Sequence, residues 1–497
     1  MKKIFVTLIS VILLASCSLE REDYTEIYPD TIFKTETDIK LSVNYLYYYF
    51  NMGDWNGVYR ADYSGYQVVS DMTTDVMWSN WGWHSDEYYF HQWTVNTGNI
   101  QSKFWDMYSG YNFLSMARNT IRRIEASKVA DNVKAVYLGE AHALRGWYAL
   151  FLYDMFGTVP VASDAILDDP ETFVYLERAT RDEWDEMMET DLRTAIDLLP
   201  DAPEARGRMG KGSARMLLLK YYMIRGLYDK AETLCRELYA MEGIYGLQND
   251  YSSVFAIDNV DNNEVILQIA GNINATSTVN YMTAECLPGD MVWTEKSQGW
   301  GGYVMPWDFY DTFEAGDKRK ACLYDHYTNT SGETITRENF ESAAGYLGAI
   351  VLKYGKDENM LGSNAGNDLV IYRWSDVLLT LAELINRNGG APTAEAYELV
   401  NRVRSRAGLA NLTPGLTYDA FNEALLLERG HEFYFEGLRR QDLIRFGKYI
   451  EYANARIAKA NAAGSNYYGV DESHNLFPIH QSFIDESRGM VKQNPNY

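Results

Sequence analysis

The sequence predicts a mostly α protein, with helical hairpins stacked into a scaffold and interrupted by long irregular loops and a few short strands. Three observations lead there. Apolar residues recur at three- and four-residue steps over long stretches, as at Ala141, Leu144, Tyr148, Leu152 and Met155. Glycine-rich breaks such as Asn388-Gly389-Gly390-Ala391-Pro392 end those stretches. Two long segments, 54–99 and 249–366, hold no sustained period and are rich in loop-forming residues.

In chain order, the periodicity predicts a helix over 138–156, stopped by Gly157. Ala214, Leu217, Leu218 and Tyr221 predict another over 213–225, and a third follows over 229–241. The join Gly226-Leu227-Tyr228-Asp229-Lys230-Ala231 resembles the G-x-Y-x-x-A centre of a tetratricopeptide repeat, where glycine permits the turn and alanine the close approach of two helices. Residues 265–269 form a short apolar run and predict a strand. Ile371, Trp374, Leu378, Leu381 and Ile385 share a helical phase and predict a helix starting at Ile371; Ala396, Val400, Val403 and Ala407 mark its partner. Single helices of this length are marginal in water, so packing on neighbours must hold them. No low-complexity linker divides the chain, and residues 17–497 read as one domain.

Residues 1–16 read as a lipoprotein signal peptide. Lys2 and Lys3 form a basic head, and residues 4–15 are almost wholly apolar yet too few to span a bilayer, which takes about 20. Leu14-Ala15-Ser16 before Cys17 is the pattern a lipoprotein signal peptidase cuts, which makes Cys17 the acylated N-terminus. Stable anchoring needs more than one acyl chain, and this modification provides it. Glu20, Glu22 and Asp23 follow directly, like an export signal to the outer face of the outer membrane.

The net charge of −24 repels phosphate backbones and argues against a nucleic-acid partner. With Cys17 acylated, Cys235, Cys286 and Cys322 are left, an odd number that makes no disulfide framework. Cys235 falls in phase with Ala231, Leu234 and Leu238 and reads as a buried thiol. Aromatic residues reach 14%, with 39 Tyr and 12 Trp, a bias that suits recognition of ligands with one apolar face and a polar rim.

The densest signal is Glu428-Arg429-Gly430-His431-Glu432-Phe433-Tyr434-Phe435-Glu436-Gly437-Leu438-Arg439-Arg440 and its continuation to Gly447. Glu428, Glu432 and Glu436 recur every four residues, a spacing that places them on one helix face, where like charges repel unless cations offset them. Arg145, Arg373, Asp376, Glu383, Arg404, Glu432, Glu436 and Asp442 are expected in a buried ion-pair network. This block resembles the signature near the C-terminus of the SusD/RagB-like lipoproteins, glycan-capturing surface partners of TonB-dependent transporters. Further matches run along nearly the whole mature chain. They include Gly139-Glu140-Ala141-His142-Ala143-Leu144-Arg145, Tyr372-Arg373-Trp374-Ser375-Asp376-Val377-Leu378-Leu379, Asn401-Arg402-Val403-Arg404-Ser405-Arg406-Ala407-Gly408 and the terminal Gln493-Asn494-Pro495-Asn496-Tyr497. The chain departs from the family at Lys318, where a proline is usual, and at Asn496, where a glycine is. The resemblance implies a tethered outer-membrane protein that binds oligosaccharide or polysaccharide and passes it to a SusC-like TonB-dependent transporter, without a cofactor.

The resemblance also places a glycan between aromatic residues of an early loop and of a later insertion. Trp78, Asn80, Trp81 and Trp83 are the early candidates: three indoles broken by Ser, Asn and Gly cannot form a buried helical stripe. Trp293, Trp300, Tyr303 and Trp307 are the later ones, beside Gly299, Gly301 and Gly302. Peptide uptake by the same family is one alternative. A tethered glycoside hydrolase is the other, since Asp71, Asp75, Asp86 and Glu87 offer carboxylates near the Trp loop. No G-x-S-x-G or H-E-x-x-H motif occurs, and 258–264 reads as a polar turn rather than a calcium loop.

Overall fold

The computed structural model describes residues 33–53, 57–62, 64–81, 85–93, 98–169, 171–275, 277–340 and 347–497. The signal peptide, Cys17 and Trp83 lie outside them. No described helix is long and apolar enough to cross a membrane.

The scaffold is a succession of helices in which each packs on the next: Phe113–Ala126 on Asp131–Phe156, then Arg181–Leu198, Lys211–Arg225 and Tyr228–Tyr239. The predicted hairpin is present. Gly226 caps Lys211–Arg225 at φ 70°, a left-handed geometry that glycine adopts without strain. Ala231 is fully buried in the partner helix, with Cys235 beside it as a free buried thiol. Helix Tyr228–Tyr239 then packs on Trp374–Gly389, a neighbour more than 130 residues further on. Trp374–Gly389 packs in turn on Ala394–Arg406 and Tyr418–Phe433.

The long excursion between those two packed helices is pinned at its base. Strand β2 (Val265–Ile269) pairs antiparallel with β8 (Leu369–Arg373), and the Ser213 hydroxyl donates to the Ile266 carbonyl at 2.9 Å. Ile371 therefore belongs to a strand. The helix expected from Ile371 begins at Trp374, because the Trp374 N–H is taken by the Glu264 carbonyl of the neighbouring segment. Within the excursion, β3 (Tyr303–Pro306), β7 (Gly348–Val351) and β4 (Leu323–Tyr324) form a sheet whose edge is β1 (Trp78–Ser79) from the early segment. His326–Thr328 and Thr334–Thr336 make a separate hairpin.

The interior is charged as well as apolar. Arg373, wholly buried, reaches Glu264 at 2.9 Å and Glu436 at 2.8 Å and also pairs with Glu432. Glu432 further meets Arg406, and Arg319 at 3.2 Å; Arg319 in turn holds Glu428 at 2.6 Å and Asp317 at 2.8 Å. The three glutamates converge, but not on one helix. That helix ends at Phe433, and Phe435 (φ 59°) and Gly437 (φ 76°) turn the chain so that Glu436 faces the same guanidinium cluster from a loop. The expected single network divides. Asp376 and Asp442 bracket Arg429 at 3.0 and 2.8 Å, with Arg445 tying Asp442 to Glu383. Arg145 stands apart, paired with Asp191 at 3.0 Å.

Candidate functional site

The two aromatic segments, more than 200 residues apart in sequence, meet across the β1–β3 ladder, where Trp78 pairs with Val304 and Ser79 with Tyr303. Beyond the ladder the Asn80 N–H donates to the Gly302 carbonyl at 2.7 Å, and the Trp81 indole N–H donates to the Trp300 carbonyl at 3.2 Å. The Trp300 N–H and Gly302 N–H donate to the Ala284 and Glu285 carbonyls, both at 2.6 Å. Trp300 is thus fixed from two sides by backbone, and its side chain stays open: the residue is 41% exposed. Tyr281 lies against it with ring centroids 5.7 Å apart and planes 24° apart.

Glycine makes this approach possible. A Cβ on Gly302 would sit 2.4 Å from the Trp81 ring, and Gly301 takes φ 65°. Trp81 is half-buried, tilted against Tyr303 at 5.4 Å.

The other candidates are used differently. Tyr303 is fully buried and Trp293 is 7% exposed, so neither presents a face to a ligand. Tyr303 packs where the sequence placed a binding surface because its strand, Tyr303–Pro306, is covered on both faces at Tyr303, Val304 and Met305. Trp78 is half-buried, with Tyr89 and Phe90 edge-on at 4.9 and 6.0 Å. Trp307 carries the Arg337 guanidinium over its ring at 4.3 Å, which covers that face. Asn80 spends its carboxamide within the protein, its nitrogen donating to the Gly301 carbonyl at 3.4 Å and its oxygen accepting from the Leu347 N–H at 3.3 Å.

Sequence reasoning missed Tyr281 and the buried polar groups behind Trp300. Asn280, Thr283 and Glu285 are each at least nine-tenths buried, and Asn280 Nδ2, Thr283 Oγ1 and Glu285 Oε2 have no hydrogen-bond partner among the described residues. Burial, and then the charge of Asp62, push the Glu285 carboxyl well above the usual range, which favours its neutral form. No period or motif marks these residues; the Trp300 and Gly302 N–H bonds to the Ala284 and Glu285 carbonyls bring their segment beside Trp300.

Two of the acidic residues near the Trp loop, Asp71 and Asp75, are committed elsewhere. Asp71 is fully buried, accepts from the Gly437 and Arg439 N–H groups, and is raised by burial to about 7. Asp75 takes the Arg439 guanidinium in a two-pronged pair at 2.8 Å. Among the described residues no group of His, Cys, Asp or Glu is arranged to hold a metal.

Comparison with known proteins places this geometry. Residues 23–223 match a family described as starch-binding and associating with the outer membrane, and residues 322–497 match the SusD family. SusD-like protein P2 of Formosa agariphila is 25% identical over the full length of both chains. Starch-binding protein SusD of Bacteroides thetaiotaomicron is 24% identical over 71% of each. Among solved structures, surface glycan-binding protein A of Bacteroides thetaiotaomicron superposes with a TM-score of 0.72 at 25% identity, covering 94% of this chain and 100% of that one. Its complex with laminarihexaose gives a TM-score of 0.72 at 24% identity over 93% and 99%.

Proposed function

Because the chain belongs to the SusD family, we propose that it captures extracellular oligosaccharide at the Trp81–Trp300 surface and delivers it to a TonB-dependent transporter of the outer membrane. The observation that carries this reading is the Trp300 indole, open to solvent while the backbone on both sides of it is hydrogen-bonded in place. A sugar ring has an apolar C–H face and a rim of hydroxyls, so a fixed indole supplies stacking with little ordering cost. Glycan recognition by the relatives, one named for starch and one solved with laminarihexaose, supports the ligand class.

Binding rather than cleavage is the better reading. Glycosidases need two carboxylates flanking the scissile bond, and Asp71 and Asp75 are held by the interior arginine segment. Titration calorimetry of the mature chain with laminarihexaose and maltohexaose, followed by a reducing-end assay, tests this: heat of binding without new reducing ends is expected. New reducing ends, or no heat with either sugar, would count against it.

Residues 1–16 act in this reading as the signal peptide and Cys17 as the lipid anchor of a single domain, residues 17–497, at the cell exterior. Labelled palmitate should enter the protein and fail to enter Cys17→Ala. A large β-barrel should co-purify from native outer membranes; its absence would remove the transporter from the proposal.

A further inference from the structure

A second aromatic hollow, lined by none of Trp81, Tyr281 or Trp300, lies beside the first described helix, Glu36–Tyr48. Tyr45 and Tyr48 stand one helical turn apart with ring planes only 5° from parallel and centroids 6.5 Å apart. They are 56% and 44% exposed, and Trp105 on the facing wall is 42% exposed. Three large aromatic side chains this open to water around one cavity are unusual, since such rings ordinarily turn inward. The cavity measures about 380 Å³, at the small-molecule end of the ~300–1,000 Å³ typical of ligand pockets and too small to seat a folded partner.

The polar lining sets the ligand's charge. Arg60 lines the pocket, Asp62 at 3.0 Å and Asp106 at 3.3 Å offset it, and Lys103 pairs with Asp106 at 3.7 Å. A phosphate or carboxylate ligand would therefore meet cations already paired with carboxylates, on a chain of net charge −24. A cationic ligand would meet Arg60. A neutral ligand bearing many hydroxyls meets neither penalty and finds donors and acceptors in Arg60, Asp106 and Asn112.

We infer that the Tyr45–Tyr48–Trp105 hollow is a second carbohydrate-binding site, separate from the Trp300 surface, for a neutral glycan. It shares the ligand class of the proposed function but none of its residues. Two sites on one chain strengthen retention of a long polysaccharide more than of a short oligosaccharide, because the second contact is intramolecular.

Affinity electrophoresis in gels cast with laminarin or with starch tests the inference. The unaltered mature chain, Tyr45→Ala/Trp105→Ala and Trp300→Ala are run side by side, with Tyr45→Ala/Tyr48→Ala as a second hollow variant that leaves the Trp105–Phe483 stack (5.9 Å) intact. The unaltered chain is expected to be retarded in at least one gel, and both hollow variants to lose half or more of that retardation. Undiminished retardation of the hollow variants, or no retardation of the unaltered chain in either gel, overturns the inference. Loss in Trp300→Ala alone removes the hollow and leaves the proposed capture surface standing; loss in the hollow variants alone does the reverse.

Discussion

The interior around Glu432 and the surface around Trp300 use backbone precision for opposite ends. In the interior Glu432 faces three guanidinium groups, those of Arg319, Arg373 and Arg406, all buried. At the surface, Glu285 lies behind the indole with no cation paired to it among the described residues. The cations hold Glu432, Asp376, Glu383 and Asp442 below the usual carboxylate range against the opposing effect of burial, whereas burial and then the charge of Asp62 lift Glu285 above it. The dense Glu–Arg signature thus belongs to the scaffold, and the proposed capture surface belongs to loops that the scaffold holds.

The largest effect that would break this contrast is in the interior. Glu436→Ala removes the carboxylate of buried Lys353 and one of the three that Arg373 holds, and should cost about 3–5 kcal/mol, read by chemical denaturation, with sugar affinity of the folded fraction unchanged. Normal stability with lost binding would move the signature into the site. On the surface side, Trp300→Ala should weaken oligosaccharide binding roughly tenfold or more, about 1.4 kcal/mol per tenfold, and leave the melting temperature alone. Trp81→Ala should lower both, because that ring fills the space over Gly302 and packs on Tyr303. Unaltered stability of Trp81→Ala would mean the ring is not part of the packing.

Acidity separates the two regions by sign. The depressed interior carboxylates contribute stability that is complete above their unfolded values, near 4, and lost as pH falls further. The melting temperature should hold from pH 7 to about 5 and fall steeply below about 4. Glu285 works the other way: its favourable state is complete below about 4.5 and lost as pH rises through its raised folded value. The smallest expected effect is therefore a modest rise in melting temperature for Glu285→Gln at pH 7, shrinking to nothing below about pH 4.5. A rise that stays the same at pH 4 would contradict the assignment of Glu285 as a neutral buried acid.

The scaffold was legible because its signals are local. Helical phase, the Gly226 cap and the Ala231 contact each depend on residues a turn or two apart, and strand β2 stood out as a short apolar run. Ile371 misled because a strand running into a helix keeps apolar residues in apparent helical phase. The Glu428–Glu432–Glu436 spacing named the right cluster and the wrong geometry, since the left-handed turn at Phe435 leaves no periodic trace. The site was legible only as two segments. Which indole stays wet depends on β1–β3 pairing across more than 200 residues, and nothing in Trp293 or Tyr303 taken singly foretells burial. Tyr281 and Glu285 carried no signal, because their roles arise only once Trp300 and Gly302 hydrogen-bond to the segment that holds them.

The most direct test is paired titration calorimetry of the mature chain and Trp300→Ala with laminarihexaose and maltohexaose, each protein first matched for melting temperature. The expected result is binding of at least one sugar by the unaltered chain and roughly tenfold or greater loss in the variant at equal thermal stability. Equal affinity in both proteins would contradict the claim that this solvent-facing indole holds the ligand.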